Sequence, residues 1–260
     1  MSVRLLFKYW GRLWRVTRSE LAARYAGSAL GLAWVIVYPL AILAAYAALY
    51  ALILKVRVGN LGPWQYVLYM FSGLVPFLSA NEAITQGIGS LTANRHLLNN
   101  TTFPIDLLPP KAVLASQVTM VTGFALIGIA AASTGMLHPT LVLLPLLWIL
   151  QALALTGCVW ILSVVNVLVR DLQAAAGVLL LGLLVTSPIA YAPSMVPAVL
   201  APFVALNPFA VFLATYQRVV ALGEWPSAAS LAGLSLGSLA IFFAGGWCFG
   251  RAKRVLLDYV

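Results

Sequence analysis

The sequence predicts an all-α membrane protein with six transmembrane helices, an N-terminal amphipathic interface helix, and re-entrant periplasmic helices before the last span. Three observations carry that expectation. The 260 residues are 63% hydrophobic and only 8% charged, whereas globular proteins are about 45–50% apolar and about 25% charged. The apolar residues form long unbroken runs. Of the two structures that satisfy their backbone in lipid, that pattern selects helices, because barrel strands alternate apolar with polar positions. Finally, the Lys and Arg residues gather in alternate connections between the runs, as they do when one side faces the cytoplasm.

Residues 1–27 come first. Leu5, Leu6, Tyr9, Leu13 and Val16 recur at helical spacing beside a second stripe of Arg4, Lys8, Arg12 and Arg15. A helix lying in the membrane interface has that double stripe; the alternative is a plain polybasic flank. Arg15, Arg18, Arg24 and Tyr25 complete the interface-helix set. The first long apolar run begins near Ser28. It is too long for the apolar core of a cleaved leader, about 7–15 residues.

Six spans are expected at about 29–53, 66–90, 112–134, 141–168, 172–190 and 229–250. Each approaches the ~20 residues that cross a ~30 Å hydrocarbon core. With six spans, Arg4, Lys8, Arg12, Arg15, Arg18, Arg24, Arg95, Lys111, Arg170, Arg251, Lys253 and Arg254 share one side, leaving Lys55, Arg57 and Arg218 on the other. Both termini are therefore expected in the cytoplasm, in a multi-pass inner-membrane protein. This asymmetry accounts for most of the net charge of +9. Topology and anionic lipid explain it better than nucleic-acid binding.

The segment 187–226 holds Pro188, Pro193, Pro197, Pro202, Pro208 and Pro226 yet stays apolar. Prolines at that density break long helices. Two short helices dipping into the outer leaflet (188–226) fit better than an ordinary loop, provided protein or water covers the broken backbone.

Several chemistries are missing. The six acidic residues form no catalytic pair in sequence, and His96 and His138 lack metal-ligand spacing. None of the four lysines follows a glycine, so no phosphate-cradling loop is present. Cys158 and Cys248 sit in apolar runs and read as packing residues. The chain is expected not to be an enzyme and to carry no cofactor or metal. Glu82 alone among the acids lies well inside a span, where a charge costs about 2.5–3.5 kcal/mol on insertion scales. Two readings stand: a pathway or inter-helix contact, or a carboxylate near the interface paired with an arginine such as Arg24 or Arg95.

Four stretches carry a family resemblance. They are Glu20 to Trp34 with Arg24-Tyr25-Ala-Gly27 and Pro39; Asn94-Arg95-His96-Leu97-Leu98 followed by Phe103-Pro104-Ile105-Asp106; Asn166-Val-Leu-Val-Arg170-Asp171; and Asn207-Pro208 with Gly223-Glu-Trp-Pro226. In this order they resemble ABC-2 type export permeases, and most of all the subgroup that exports O-antigen-like lipid-linked polysaccharide. The resemblance implies the ABC-2 (type V exporter) fold and a homodimer with the polymer passing between its subunits. It also implies two copies of a partner subunit that binds ATP and Mg. The loop 93–108 would carry the coupling helix, with Asn94, Arg95, Leu98, Phe103, Pro104 and Asp106 toward the ATPase and Arg170-Asp171 bracing the contact or capping span five. A polar connector is the alternative for that loop. Trp34, Tyr38, Tyr46 and Tyr50 lie along span one and, with Glu82, are candidates for the sugar pathway; packing against another helix is the alternative. Tyr69, Phe71 and Phe77 are weaker candidates, and 191–212 is a candidate outer gate. Permeases for capsule, teichoic acid, lipid or drug are alternatives within the family. An ion-coupled carrier is the alternative outside it.

Overall fold

The computed structural model describes residues 2–53, 58, 61–94, 104–169, 171–191, 195–196, 198–199 and 201–259. The side chains of 2, 7, 23–25, 32, 35, 51–52, 205 and 254–259 lie outside that description. Every regular element among the described residues is helical. Helix α1 (Ser2–Lys8) and α2 (Trp10–Tyr25) are followed by α3 (Trp34–Ala47), which continues as a π-helical stretch, Ala48–Ile53. Then come α4 (Pro63–Ile88), α5 (Ser90–Ala93), α6 (Leu108–Ser133), α7 (Leu144–Leu168) and α8 (Leu172–Thr186). The chain closes with α9 (Ala201–Leu206), α10 (Pro208–Gln217) with its π-helical extension Arg218–Leu222, and α11 (Ala228–Tyr259).

Four of these stretches are long and apolar enough to cross a membrane: Pro63–Ile88, Ile105–Ser133, Pro139–Leu168 and Ala228–Lys253. Three shorter apolar helices accompany them, Ile36–Tyr50, Leu172–Thr186 and Pro208–Leu222. The protein is thus an all-helical, multi-pass membrane protein. Expected spans one and five correspond to two of the shorter helices.

The centre is α4, 72% buried over its most apolar window. Alternate helices run in opposite directions around it. The end of α4 meets the start of α8, where a Cβ on Gly89 would touch Gln173. Its beginning meets the end of α10, where Gln65 Nε2 donates to the Ala221 carbonyl at 3.1 Å. Without a hydrophobic drive between helices in lipid, close contact relies on small residues and inter-helix hydrogen bonds. Both occur here. Helices α7 and α11 touch backbone to backbone, because a Cβ on Gly157 would collide with the Ile241 carbonyl and one on Gly245 with the Gly157 carbonyl. Gly123 of α6 makes the same allowance for Val75 of α4. Ser79 Oγ bridges α4 to the Ser116 carbonyl at 3.1 Å, and Gln151 Nε2 of α7 donates to the Pro76 carbonyl at 2.9 Å.

Two ends result. The loop end gathers α1, α2, α5, residues 104–107 and the C-terminal part of α11 around Leu6, Leu13, Ile105, Leu107, Trp160 and Phe249. The opposite end holds the start of α4, the turn before α7 and the segment 187–226. There Thr140 Oγ1 donates to the Val219 carbonyl at 2.7 Å.

The segment 187–226 folds back on itself. Helix α8 stops at Thr186, and Asn207 returns to its last turn, donating from Nδ2 to Ser187 Oγ at 2.8 Å and to the Leu183 carbonyl at 3.3 Å. Asn207 Oδ1 also caps α10 by accepting from the Phe209 amide. Phe209 then meets Phe77 edge-on, ring centroids 5.7 Å apart. Phe77 lies fourteen residues into α4, about 21 Å from its start at 1.5 Å per residue. From that depth α10 climbs back to the start of α4. The non-helical backbone at 187–190 is buried and its carbonyls are satisfied. Gln217 Nε2 donates to Pro188 and Ile189 at 2.9 and 3.1 Å, and Tyr66 Oη donates to Ala190 at 2.9 Å.

Candidate functional site

Two adjoining grooves occupy one flank of α4. The first, about 570 Å³, lies between α3, α4 and α6, with Trp34, Tyr38, Asn81, Glu82, Gln86 and Thr119 among its lining. The second, about 560 Å³, continues toward the loop end along Gln86, Gly89, Ser90, Asn94 and Lys111. Thr85 and Gln86 line both, so one polar strip joins them.

That strip follows from the sequence of α4. Asn81, Thr85 and Gly89 fall four apart, as do Glu82 and Gln86, and residues four apart share a helix face. Glu82 is partly buried. One of its oxygens accepts from Thr119 Oγ1 at 2.7 Å and the other from Gln86 Nε2 at 3.0 Å. The carboxylate therefore ties α4 to α6 at the floor of the first groove. Asn81, Thr85, Gln86 and Thr119 were not singled out from the sequence. For the three on α4 the four-residue spacing, counted with Glu82, was the available signal, and the high apolar content around them masks it.

Of the aromatic residues on span one, the groove brings together Trp34 and Tyr38, 38% and 55% exposed. It does not include Tyr46 and Tyr50. These stack on each other at 5.9 Å and pack against the main core. The reason is geometric. At 100° per residue, sixteen residues from 34 to 50 drift by about 160° around an α-helix, so the aromatic stripe winds away from the groove. Pro39, between the two pairs, lies inside the helix as well.

Among the described residues the loop end carries two ion pairs. Lys111, buried at the start of α6, contacts the Glu20 carboxylate of α2 and approaches Asn94 Oδ1 at 3.5 Å. Asn94 in turn donates to the Ser90 carbonyl at 2.7 Å. Asp106, 2% exposed, accepts from Lys253 Nζ of α11 at 3.0 and 3.3 Å, and its carbonyl accepts from Trp160 Nε1 at 3.0 Å. Pro104 is extended and half-buried ahead of the short 3₁₀ turn Ile105–Leu107. Asp171 is exposed at the start of α8 and makes no side-chain cap. Arg95, Leu98, Phe103 and Arg170 lie outside the described residues, as do the side chains of Arg24 and Tyr25.

Residues 2–25 form two helices that meet at Tyr9. Leu6 and Leu13 are buried, while Arg12, Arg15 and Arg18 are exposed together with Trp10 and Trp14. Arg15 Nε donates to the Gly11 carbonyl at 3.2 Å. Among the described residues no cluster of His, Cys, Asp and Glu could hold a metal ion.

No protein-family model matches the chain. Curated relatives do. An O-antigen export system permease protein, RfbA, of Myxococcus xanthus is 28% identical over 99% of this chain and 98% of its own length. Proteins of the same name from Klebsiella pneumoniae are 26% identical over 87% of this chain and 89% of theirs, and 25% identical over 78% and 77%. This chain resembles the ABC-2 type permeases of O-antigen export. The similarity to the first of these relatives spans nearly the whole of both chains.

Proposed function

We propose that this chain is the permease subunit of an ATP-driven exporter of lipid-linked, O-antigen-like polysaccharide in a bacterial inner membrane. The observation that carries the reading is the end-to-end similarity to O-antigen export permeases. Two copies pair, and each receives an ATP-binding subunit at the loop end, which faces the cytoplasm together with both termini. ATP and Mg belong to that partner. The stretch from Asn94 through Arg95, Leu98 and Phe103 to Pro104 is the docking loop. Asp171, exposed at the start of α8, and Arg170 support the same contact.

The polar strip is the substrate-facing surface. Asn81, Glu82, Thr85 and Gln86 offer hydrogen-bond partners to sugar hydroxyls, and Trp34 and Tyr38 offer aromatic faces. Helices α1 and α2 lie at the interface, with Arg15 and Arg18 toward lipid headgroups. The segment 188–226 re-enters from the periplasmic side and closes the path, its apolar helix α10 meeting α4 at Phe77. The reading is supported by the way Gln217, Tyr66 and Asn207 satisfy that broken backbone, as lipid depth requires.

Reconstitution tests it. Proteoliposomes with this chain and its ATPase should move a lipid-linked glycan only when ATP is hydrolysed. Movement by the chain alone along an ion gradient would contradict the proposal and favour a secondary carrier.

A further inference from the structure

The docking loop does not end in a free connector. Asp106 is held at the loop's end by three hydrogen bonds from two helices far along the chain: two from Lys253 of α11 to the carboxylate, one from Trp160 of α7 to the carbonyl. Two residues later the chain becomes α6. Asp106 thus joins the loop to α6 covalently, to α7 through an indole and to α11 through a buried charge.

The surroundings make that joint stiff. Trp160 is fully buried and its ring lies 5.5 Å from that of Phe242 on α11. Helices α7 and α11 also touch backbone to backbone at Gly157 and Gly245, so they move as a pair. The other end of the loop is tied differently. Asn94 bonds back into α5 and only approaches Lys111. A displacement of Asp106 therefore bears directly on α7 and α11. Pulling Asp106 away from Lys253 would strand a carboxylate with 2% exposure, and an unpaired buried charge is costly. Moving the α7–α11 pair with the loop avoids that cost.

We propose that Asp106, gripped by Lys253 and Trp160, is the joint that transmits displacement of the docking loop to the α7–α11 pair. Lys253 and Trp160 are positioning residues for transport that touch neither glycan nor ATP. This rests on the reading that 94–104 is where an ATPase docks.

The test uses the reconstituted permease–ATPase complex and reads three quantities: complex formation, ATP hydrolysis, and glycan exported per ATP. Asp106→Asn keeps the side chain's size and one acceptor oxygen. Trp160→Phe removes only the donor to the carbonyl and part of one ring. Both should assemble and hydrolyse ATP as the parent does, while glycan exported per ATP falls, by about tenfold for Asp106→Asn and less for Trp160→Phe. The exchange Asp106→Lys with Lys253→Asp should recover part of the loss. An unchanged export-to-ATP ratio in both single variants overturns the proposal. So does a loss of export matched by an equal loss of assembly, which assigns the pair a folding role alone. A parent chain that binds no ATPase would instead overturn the docking reading, before any variant is compared.

Discussion

The two ends of the bundle are held together by different chemistry. At the loop end two links between distant elements are charged, Glu20 to Lys111 and Asp106 to Lys253, beside the neutral bond from Trp160 to the Asp106 carbonyl. At the opposite end the links among the described residues are neutral, with amides and hydroxyls donating to backbone carbonyls: Gln65 to Ala221, Tyr66 to Ala190, Thr140 to Val219, Gln217 to Pro188 and Ile189. The difference follows from what each end must solve. Proline-broken backbone leaves orphan carbonyls, which any neutral donor can satisfy and which lipid cannot.

The comparison can be broken or sharpened by substitution, with stability read from equilibrium unfolding in mixed micelles. Lys253→Met strands the Asp106 carboxylate and should cost the most, about 3–5 kcal/mol. Gly157→Leu drives a side chain into the Ile241 carbonyl and should cost about 2–3 kcal/mol by overpacking. At the neutral end Gln217→Leu orphans two carbonyls at once, for about 1–3 kcal/mol. Tyr66→Phe orphans one and should cost about 1 kcal/mol. Neutral-end variants costing more than Lys253→Met would show that the charged end is not the stiffer one.

Much of the fold was legible. The apolar runs at 66–90, 112–134 and 229–250 became Pro63–Ile88, Leu108–Ser133 and the greater part of Ala228–Tyr259, because length in lipid leaves a helix little choice. The run 29–53 was less so: it contains a 3₁₀ turn, a 14-residue α-helix and a π-helical end, and composition does not distinguish them. The prolines of 187–226 mark broken helix in the sequence, but the fastening of that segment by Asn207 and Gln217 was not visible there. The same limit applies to the loop. Pro104 marks its end in the sequence, whereas the partner of Asp106 lies 147 residues away, beyond any periodicity. The side chain of Asp106, expected toward the ATPase, is bonded by Lys253 inside the protein. The polar strip was half legible: Glu82 stands out as an acid, while Asn81, Thr85 and Gln86 are uncharged and vanish into the apolar average.

The claim beneath all of this is that the two ends lie on opposite sides of the membrane. Single cysteines at Ala93 and Ser227, both exposed in the structure, in a chain with Cys158 and Cys248 replaced by serine, test it in sealed right-side-out cells. A membrane-impermeant maleimide should label Ser227→Cys from outside and reach Ala93→Cys only after the membrane is opened. Labelling of both from the same side would contradict the topology, and with it the docking of an ATPase at the loop end.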